Sequence, residues 1–209
     1  MDPKEKMEQK MNNGREYRTM QLRVKQDEEK KCIVEGYATT FDEPYTLYDG
    51  RNYKVVEVID PNAFDECDMS DVIFQYNHEG RVYARTRNKT LDLQTDSKGL
   101  KVIADLGTTE SSKQLYEEIK AGLTDRMSFG FVVGEDERTY VDDYDNDLEI
   151  CTRRITKISK LYDVSAVSIP ANDMTSISAR RFSDGVIAEI KAERLERERL
   201  KLKIKMMEV

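Results

Sequence analysis

Short segments in which apolar and polar residues alternate recur along most of the chain, from residue 17 to residue 169. A period of two is typical of β-strands with one buried face. Turn-forming sequences such as DSKG at 96–99 separate the segments. The pattern therefore predicts a mainly β domain of mostly antiparallel strands, as a barrel or a sandwich. The predicted strands are 17–24, 32–41, 53–59, 72–76, 82–86, 91–95, 100–106, 127–133, 148–158 and 160–169.

Two helices are predicted inside this β domain. Asp60 followed by Pro61 is typical of a helix start, so we expect a short helix that ends near Cys67. A longer helix is predicted after Thr109, because its apolar residues recur four apart up to Leu123. The predicted fold class is therefore mainly β with small helical insertions (α+β).

The composition changes after about residue 184, where Glu, Arg and Lys dominate. An apolar stripe at helical spacing predicts a charged amphipathic helix that seeks a partner helix and lies outside the core. The alternative is a solvated single helix that frays. We expect a flexible tail at 1–16, a folded domain at 17–182 and a helical tail at 183–209. The stripe consists of Ala188, Ala192, Leu195, Leu202 and Met206.

Charge and hydropathy exclude several classes of partner. Charged residues make up 36% of the 209 residues, and the net charge is −7, so the chain lacks the basic footprint of a nucleic-acid-binding protein. No apolar run approaches the roughly 20 residues of a membrane-spanning helix. The N-terminus does not resemble a signal peptide. The sequence predicts no nucleic-acid or membrane partner.

Cysteine and histidine are scarce. The three cysteines lie far apart without a Cys-x-x-Cys pair, and the chain contains a single histidine. We therefore expect neither a disulfide framework nor a zinc site, and a reducing, cytoplasmic setting fits the cysteines best. No metal or cofactor is predicted.

The single histidine, His78, ends the strand-like sequence VIFQYNHE at 72–79. Histidine is the side chain whose ordinary pKa suits proton transfer near neutral pH, so general acid–base chemistry with an imidazole must use this residue. Ser128 lies in GLTDRMSFGF at 122–131, at the start of a predicted strand. Taken singly, each residue also fits an ordinary structural role.

Several segments together resemble a known family. FQYNHE at 74–79, DRMSFGF at 125–131 and LYDVSAVSIPAN at 161–172 occur in that order, after VEGYATTF at 34–41 and IDPNAF at 59–64. This set resembles the prohead (capsid maturation) serine proteases of tailed bacteriophages, a group similar in fold to herpesvirus assemblin. The resemblance covers roughly residues 20–175 and implies an assemblin-like antiparallel β-barrel core.

The resemblance implies a catalytic serine, Ser128, activated by His78 as general base. In assemblin relatives a second histidine completes the triad, and none exists here. A carboxylate must take that place. We predict Asp163, because the family usually carries an acid before the Val-Ser of this strand; a solvent-facing strand aspartate is the alternative. Glu79 and Asp125 are weaker candidates.

An oxyanion hole needs backbone N–H groups directed at the developing negative charge. By position relative to assemblin, the loop after the last strand implies Ala171 and Asn172 as donors, since Pro170 has no N–H. Arg126 is a further candidate that would add positive potential near the site, unless it is an ordinary surface arginine.

The resemblance also implies a biological setting. The substrates would be the scaffolding segment of the major capsid protein and the protease itself, cut inside an assembling procapsid in the host bacterial cytoplasm. A homodimer is expected, and the helical tail would anchor the chain in the scaffold or be removed by self-processing.

Two other functions fit the sequence. One is a non-enzymatic capsid scaffolding or assembly factor with a β domain and a coiled-coil tail. The other is a cysteine hydrolase that pairs His78 with Cys67 or Cys151. Cys151 is the better candidate, because acidic neighbours disfavour a thiolate at Cys67 whereas two arginines follow Cys151.

Overall fold

This computed structural model describes residues 15–24, 32–143, 148–168 and 177–207. The described chain is mainly β, with a short 3₁₀ helix at Thr86–Asn88 and two α-helices, α1 (Glu110–Lys120) and α2 (Ile177–Met207). The strands are β1 (Glu16–Val24), β2 (Ile33–Thr40), β3 (Tyr45–Asp49), β4 (Tyr53–Ile59), β5 (Ile73–Tyr76), β6 (Glu79–Arg85), β7 (Leu91–Thr95), β8 (Gly99–Asp105), β9 (Arg126–Asp143) and β10 (Leu148–Val167).

The described strands form one mixed sheet in the order β3-β4-β10-β9-β1-β2-β8-β7, with β5 paired to β10 and β6. Most neighbours are antiparallel, as predicted. However, β4 and β5 both pair with β10 in parallel, β4 along its first half and β5 along its second half. β9 pairs with β10 on the other edge. β10 therefore lies at the centre of the structure and joins elements that are distant in sequence.

Three predictions about strands differ from the structure. The sequence predicts a loop at 45–51, but Tyr45–Asp49 is a strand. It also predicts an acidic loop or hairpin at 134–146, but β9 continues to Asp143. The segments 148–158 and 160–169 belong to one strand, β10, whose pairing with β9 shifts register between Ile155 and Asp163. Such bulges interrupt the alternation of side chains, so the sequence pattern indicates a strand break where the chain only bends.

The helix predicted after Asp60 is also wrong. Asp60 Oδ1 accepts from the backbone N–H of Asn62 (2.9 Å), which is a turn contact. The following backbone bonds each span three residues, from Ala63 to Asp60 and from Cys67 to Phe64. No ladder of four-residue bonds forms in this described segment, so residues 61–66 are successive turns.

The main core fills the inner face of the sheet. Phe129 and Phe131 stack with ring centroids 4.6 Å apart, and both are fully buried. Leu115 and Ile119 of α1 pack against this core, as their spacing predicts. Thr109 caps α1 by accepting from the backbone N–H of Ser112 (3.1 Å).

The helix α2 packs partly against the sheet, contrary to the prediction that it lies outside the core. Its Val186 and Ile190 are buried in a second, smaller core that includes Leu47 and Val55. The predicted stripe has the wrong phase, because Ala188, Ala192 and Leu195 are all exposed. The side chains of Leu202 and Met206 lie outside the description. Neither α1 nor α2 is long and apolar enough to cross a membrane.

A buried ion network joins β1 to the centre of the sheet. The Arg18 guanidinium donates to both oxygens of Glu57 (2.6 Å each) and to Glu16 (2.7 Å). Arg153 of β10 contacts Glu16 (2.9 Å), Glu57 (3.1 Å) and Asp136 (2.8 Å). Burial favours neutral Arg18, but the two glutamates outweigh burial and raise its pKa. The network fixes one face of β1, and the opposite face carries the candidate site.

Candidate active site

On the outer face of the sheet, residues that pair across the neighbouring strands β1, β9 and β10 form two adjacent rows that are mostly polar. Residues directly opposite each other on antiparallel strands project from the same face of a sheet. One row across the three strands is Thr19, Ser128 and Ser165. The next row is Tyr17, Gly130 and Asp163. The alternate residues of β9 point into the core, so this face is separate from it.

His78 reaches this face from the turn between β5 and β6. Asn77 and His78 have φ values of 52° and 60°, and Tyr76 lies opposite Glu79, which defines a two-residue hairpin turn. A positive φ is uncommon for residues other than glycine, although asparagine and histidine adopt it more often than most. The surrounding structure must hold this strained conformation, and strain of this kind often marks functional sites.

Asn77 attaches the turn to the end of β10. Its backbone N–H donates to the carbonyl oxygen of Ala166 (2.9 Å), and its Oδ1 accepts from the backbone N–H of Ser168 (3.1 Å). The turn is therefore fixed to the strand that carries Asp163, and the imidazole extends from it over the outer face.

The structure brings His78 and Asp163 into direct contact. His78 Nδ1 hydrogen-bonds Asp163 Oδ2, and the same carboxylate oxygen accepts from Ser165 Oγ (2.9 Å). The side chain of Asp163 is 4% exposed and that of His78 is 19% exposed. With Nδ1–H donated to the carboxylate, His78 Nε2 is left as the proton acceptor. Ser165 was not predicted as a site residue, and its hydrogen bond helps to orient the Asp163 carboxylate.

Three buried polar atoms at this face have no hydrogen-bond partner in the described structure: His78 Nε2, Ser128 Oγ and Thr19 Oγ1. Ser128 and His78 are therefore not hydrogen-bonded to each other in this state. An unsatisfied buried polar atom costs about 1–3 kcal/mol, so native proteins contain few of them. Catalytic hydrogen bonds are often long before substrate binds. The cluster is typical of a site that a ligand's polar groups complete.

Tyr17 and Gly130 are two site residues that sequence reasoning missed. The Tyr17 ring lies edge-on to the His78 imidazole, with centroids 4.3 Å apart and planes at 62°. A Cβ at residue 130 would lie 2.7 Å from Tyr17 Cε1 and would overlap Asp163 Oδ1. Burial, and then the charge of Asp163, raises the pKa of Tyr17. The Ser-x-Gly spacing places Gly130 on the Ser128 face, which is a signal that could have identified it.

The other predicted residues do not contact His78 in the structure. Glu79 is exposed, and Asp125 pairs instead with Arg126 (3.7 Å). Ala171 and Asn172, the predicted oxyanion donors, lie outside the described residues. Of the predicted site, the structure thus joins His78 to Asp163 and places Ser128 on the same face.

The two cysteines of the cysteine-hydrolase alternative, Cys67 and Cys151, are poor nucleophiles in this structure. Burial raises the pKa of Cys67 to about 11, and burial also raises the pKa of Cys151. Cys151 lies in the smaller core beneath α2. Both thiols therefore stay protonated near neutral pH, which disfavours the cysteine-hydrolase alternative.

Within the described ranges, no group of three or more His, Cys, Asp or Glu residues could hold a metal ion.

A groove of about 510 Å³ is lined by residues of β1 and β2 near the point where the pairing of these strands ends. The two strands are paired only between Leu22–Val24 and Val34–Gly36, so β1 lacks a β2 partner nearer its start. Gln21, which lines the groove, lies two residues from Thr19. The groove mixes both charge signs, with Lys98 and Glu43 among its lining residues.

Comparisons with known proteins point to one family. The profile of the family described as caudovirus prohead serine protease matches residues 19–187. The "Prohead protease" of Enterobacteria phage HK97 is 30% identical over 162 residues, which cover 75% of this chain and 64% of that protein. The chain thus spans slightly less than two thirds of the length of that relative. No solved structure matches this chain.

Proposed function

This chain belongs to the caudovirus prohead serine protease family, and we propose that it is a serine endopeptidase. Ser128 is the nucleophile, His78 the general base and Asp163 the group that orients the imidazole. The observation that carries the proposal is the His78–Asp163 hydrogen bond, which leaves Nε2 unpartnered on the face that carries the unpartnered Ser128 Oγ. The three residues lie on three different elements, so no local sequence requirement explains their convergence.

The proposed reaction follows the chemistry of serine acyl transfer. Ser128 Oγ attacks the scissile carbonyl carbon while His78 Nε2 takes its proton, and Asp163 stabilises the imidazolium that forms. The imidazolium then gives the proton to the leaving amine, and the peptide bond breaks to leave an acyl-enzyme. A water molecule, deprotonated by the same nitrogen, then attacks the acyl carbon; the bond to Ser128 Oγ breaks, the proton returns to that oxygen, and the carboxylic acid product leaves. The first step requires Ser128 Oγ and Nε2 to approach when substrate binds.

The oxyanion donors we propose are the backbone N–H groups of Ala171 and Asn172. Their support is position along the chain: β10 carries Asp163 and Ser165 and ends at Val167, four residues before Ala171. Arg126 is a weaker contributor of positive potential, since Asp125 already pairs with it.

The proposed substrates are the scaffolding segment of the major capsid protein and the chain itself. The relative in phage HK97 is called "Prohead protease", which supports a protein of the prohead as substrate. Cleavage takes place inside the assembling procapsid in the host bacterial cytoplasm. We also propose that the sheet corresponds to the barrel of assemblin and that the enzyme acts as a homodimer. The exposed part of α2 would anchor the enzyme in the scaffold.

Co-expression of the chain with the major capsid protein of its phage tests the proposal. Wild-type protein should cleave the capsid protein and itself at sites that mass spectrometry identifies. Ser128→Ala and His78→Ala should abolish both cleavages, whereas Ser97→Ala, at an exposed turn serine, should leave them unchanged. Cleavage at the wild-type rate in the presence of Ser128→Ala would overturn the assignment of Ser128 as nucleophile. If His78→Ala also left cleavage unchanged, another protein would be the protease, and the scaffolding-factor alternative would be favoured.

A serine-directed fluorophosphonate probe gives an independent test. We expect mass spectrometry of the labelled protein to place the probe on Ser128, and His78→Ala to prevent labelling. A probe found only on another residue would contradict the assignment of the nucleophile.

A further inference from the structure

Thr19 lies directly opposite Ser128 in the antiparallel ladder between β1 and β9. The two side chains therefore leave the same face of the sheet, with Cβ atoms about 4.5–5.5 Å apart. The same register places Tyr17 opposite Gly130, and the close approach of the Tyr17 ring to residue 130 agrees with that pairing.

The Thr19 hydroxyl is buried and has no hydrogen-bond partner in the part of the chain that the structure describes. It caps no helix there and satisfies no backbone group. A valine of the same shape would fill the space without leaving a polar atom unsatisfied. The structure of the chain alone thus supplies no use for the hydroxyl, whereas a substrate that brings a polar atom would.

Ser128 has a hydroxyl neighbour on each side, and the two differ in what they can donate. On the β10 side, Ser165 already donates its proton to Asp163 Oδ2 (2.9 Å). On the β1 side, the Thr19 proton is uncommitted. A carbonyl oxygen between Ser128 and Thr19 would therefore meet a free donor on the flank away from Asp163.

We infer that the Thr19 hydroxyl donates a hydrogen bond to the oxygen of the scissile carbonyl and is a side-chain member of the oxyanion hole. This inference rests on the proposed function, with Ser128 as nucleophile. As Ser128 Oγ bonds to the carbonyl carbon, the oxygen gains negative charge and the hydrogen bond from Thr19 strengthens. Thr19 keeps its proton throughout.

The test compares Thr19→Val, which keeps the shape and removes the donor, with Thr19→Ser, which keeps the donor. The readout is the second-order rate at which a fluorophosphonate labels Ser128, because the phosphoryl oxygen of the probe takes the place of the carbonyl oxygen. Removing one oxyanion donor typically costs about 10²–10³ in rate. We expect Thr19→Val to label about 100-fold more slowly and Thr19→Ser to remain within about tenfold of wild type.

Thermal unfolding separates this role from a structural one. Thr19→Val removes an unsatisfied buried polar atom, so its melting temperature should equal or exceed that of wild type. Thr139→Val, at an exposed position of β9 far along the strand from Ser128, is the matched control and should label at the wild-type rate. Wild-type labelling of Thr19→Val, or a melting temperature well below wild type, would overturn the inference.

The result for Ser128→Ala distinguishes a failure of the inference on Thr19 from a failure of the proposed function. If Ser128→Ala loses labelling and Thr19→Val retains it, the inference on Thr19 fails and the proposed function stands. If Ser128→Ala is still labelled at the wild-type rate, the proposed function fails and the inference fails with it.

Discussion

Gly130 lies directly opposite Asp163 in the sheet, and the Asp163 carboxylate occupies the space that a side chain at residue 130 would need. Gly130→Ala should therefore displace Asp163, Tyr17 or both from beneath the imidazole. We expect labelling of Ser128 to fall at least tenfold and the unfolding free energy to fall by about 1–3 kcal/mol, as overpacking typically produces. Denaturant titration and the fluorophosphonate assay measure the two effects.

Gly185→Ala is the matched control for that substitution. Gly185 lies in α2, and a Cβ there would meet no atom within 4 Å. Replacing a helical glycine by alanine should increase the unfolding free energy by up to about 1 kcal/mol. A Gly130→Ala protein with unchanged labelling would mean that Asp163 does not need its present position for activity.

Asp163→Asn tests the role of the carboxylate without changing its size. The amide can no longer stabilise an imidazolium, and it can place its NH₂ group toward Nδ1 and so select the wrong tautomer. In a well-studied serine protease the corresponding change lowers kcat about 10⁴-fold. We expect a loss of about 10²–10⁴ in capsid protein cleavage, measured by quantitative mass spectrometry.

Asp125→Asn is the control for the Asp163 variant, because Asp125 also lies close to Ser128 in sequence but pairs with Arg126 at the surface. It should cleave at nearly the wild-type rate. If the Asp125 variant lost activity and the Asp163 variant kept it, the orienting role would belong to Asp125.

Asn77 should matter for activity both through its backbone conformation and through its side chain. Asn77→Gly keeps the positive φ but removes the contacts to Ser168, whereas Asn77→Ala disturbs both features. We expect labelling of Ser128 to decrease in the order wild type, Asn77→Gly, Asn77→Ala, with at least a tenfold loss in the last. Equal rates in all three proteins would show that the turn does not position His78.

The buried ion network predicts a specific acid sensitivity. Burial opposes ionisation of Glu16, but Arg18 and Arg153 outweigh it and lower the pKa of this carboxyl. A carboxyl with a lowered folded-state pKa stabilises the fold above its ordinary value of 4.5, and this contribution is lost as the pH falls through the folded pKa. Wild-type protein should therefore lose stability as the pH is lowered from about 5 toward 3.

Glu16→Gln checks this prediction. It should lower the unfolding free energy at pH 7 by about 3–5 kcal/mol, since it breaks a buried pair, and it should flatten the dependence on pH below 5. Glu66→Gln, which removes an exposed carboxylate paired with Lys157, should change stability at pH 7 little. A Glu16→Gln protein as stable as wild type at pH 7 would contradict the structural role of the network.

The bounds of strands whose side chains alternate regularly could be predicted from the sequence. Tyr53–Ile59 and Leu91–Thr95 have the predicted bounds, and neither strand has a bulged residue of its own. β10 was read as two strands because its bulges break the alternation, and its parallel partners could not be read from any local pattern. Strand pairing depends on residues that are distant in sequence, so the pattern within one strand contains little information about its neighbours in the sheet.

The same limit applies to the site. His78 and Asp163 could be proposed as partners from motifs that resemble a family, and the structure brings them into contact. Their catalytic roles, and that of Ser128, stay predictions. Tyr17 and Thr19 were missed because a residue's neighbour across the sheet depends on register, which places β1 beside β9 more than 100 residues later in the chain.

The helix α2 was misjudged for a different reason. Its charged composition suggested a free tail, but two residues, Val186 and Ile190, are enough to seat it over the smaller core. The small apolar residues Ala188 and Ala192 were part of the predicted stripe, but both are exposed. Burial of a few larger side chains decides the phase of such a helix.

Alternate residues of β1 serve two separate purposes, since Glu16 and Arg18 enter the ion network while Tyr17 and Thr19 reach the opposite face. A slip of β1 by one residue would exchange the two sets, leaving charges against the imidazole and an aromatic ring among carboxylates. The network thus acts as a register lock: folding cannot complete its salt bridges without also delivering the correct side chains to Ser128 and His78.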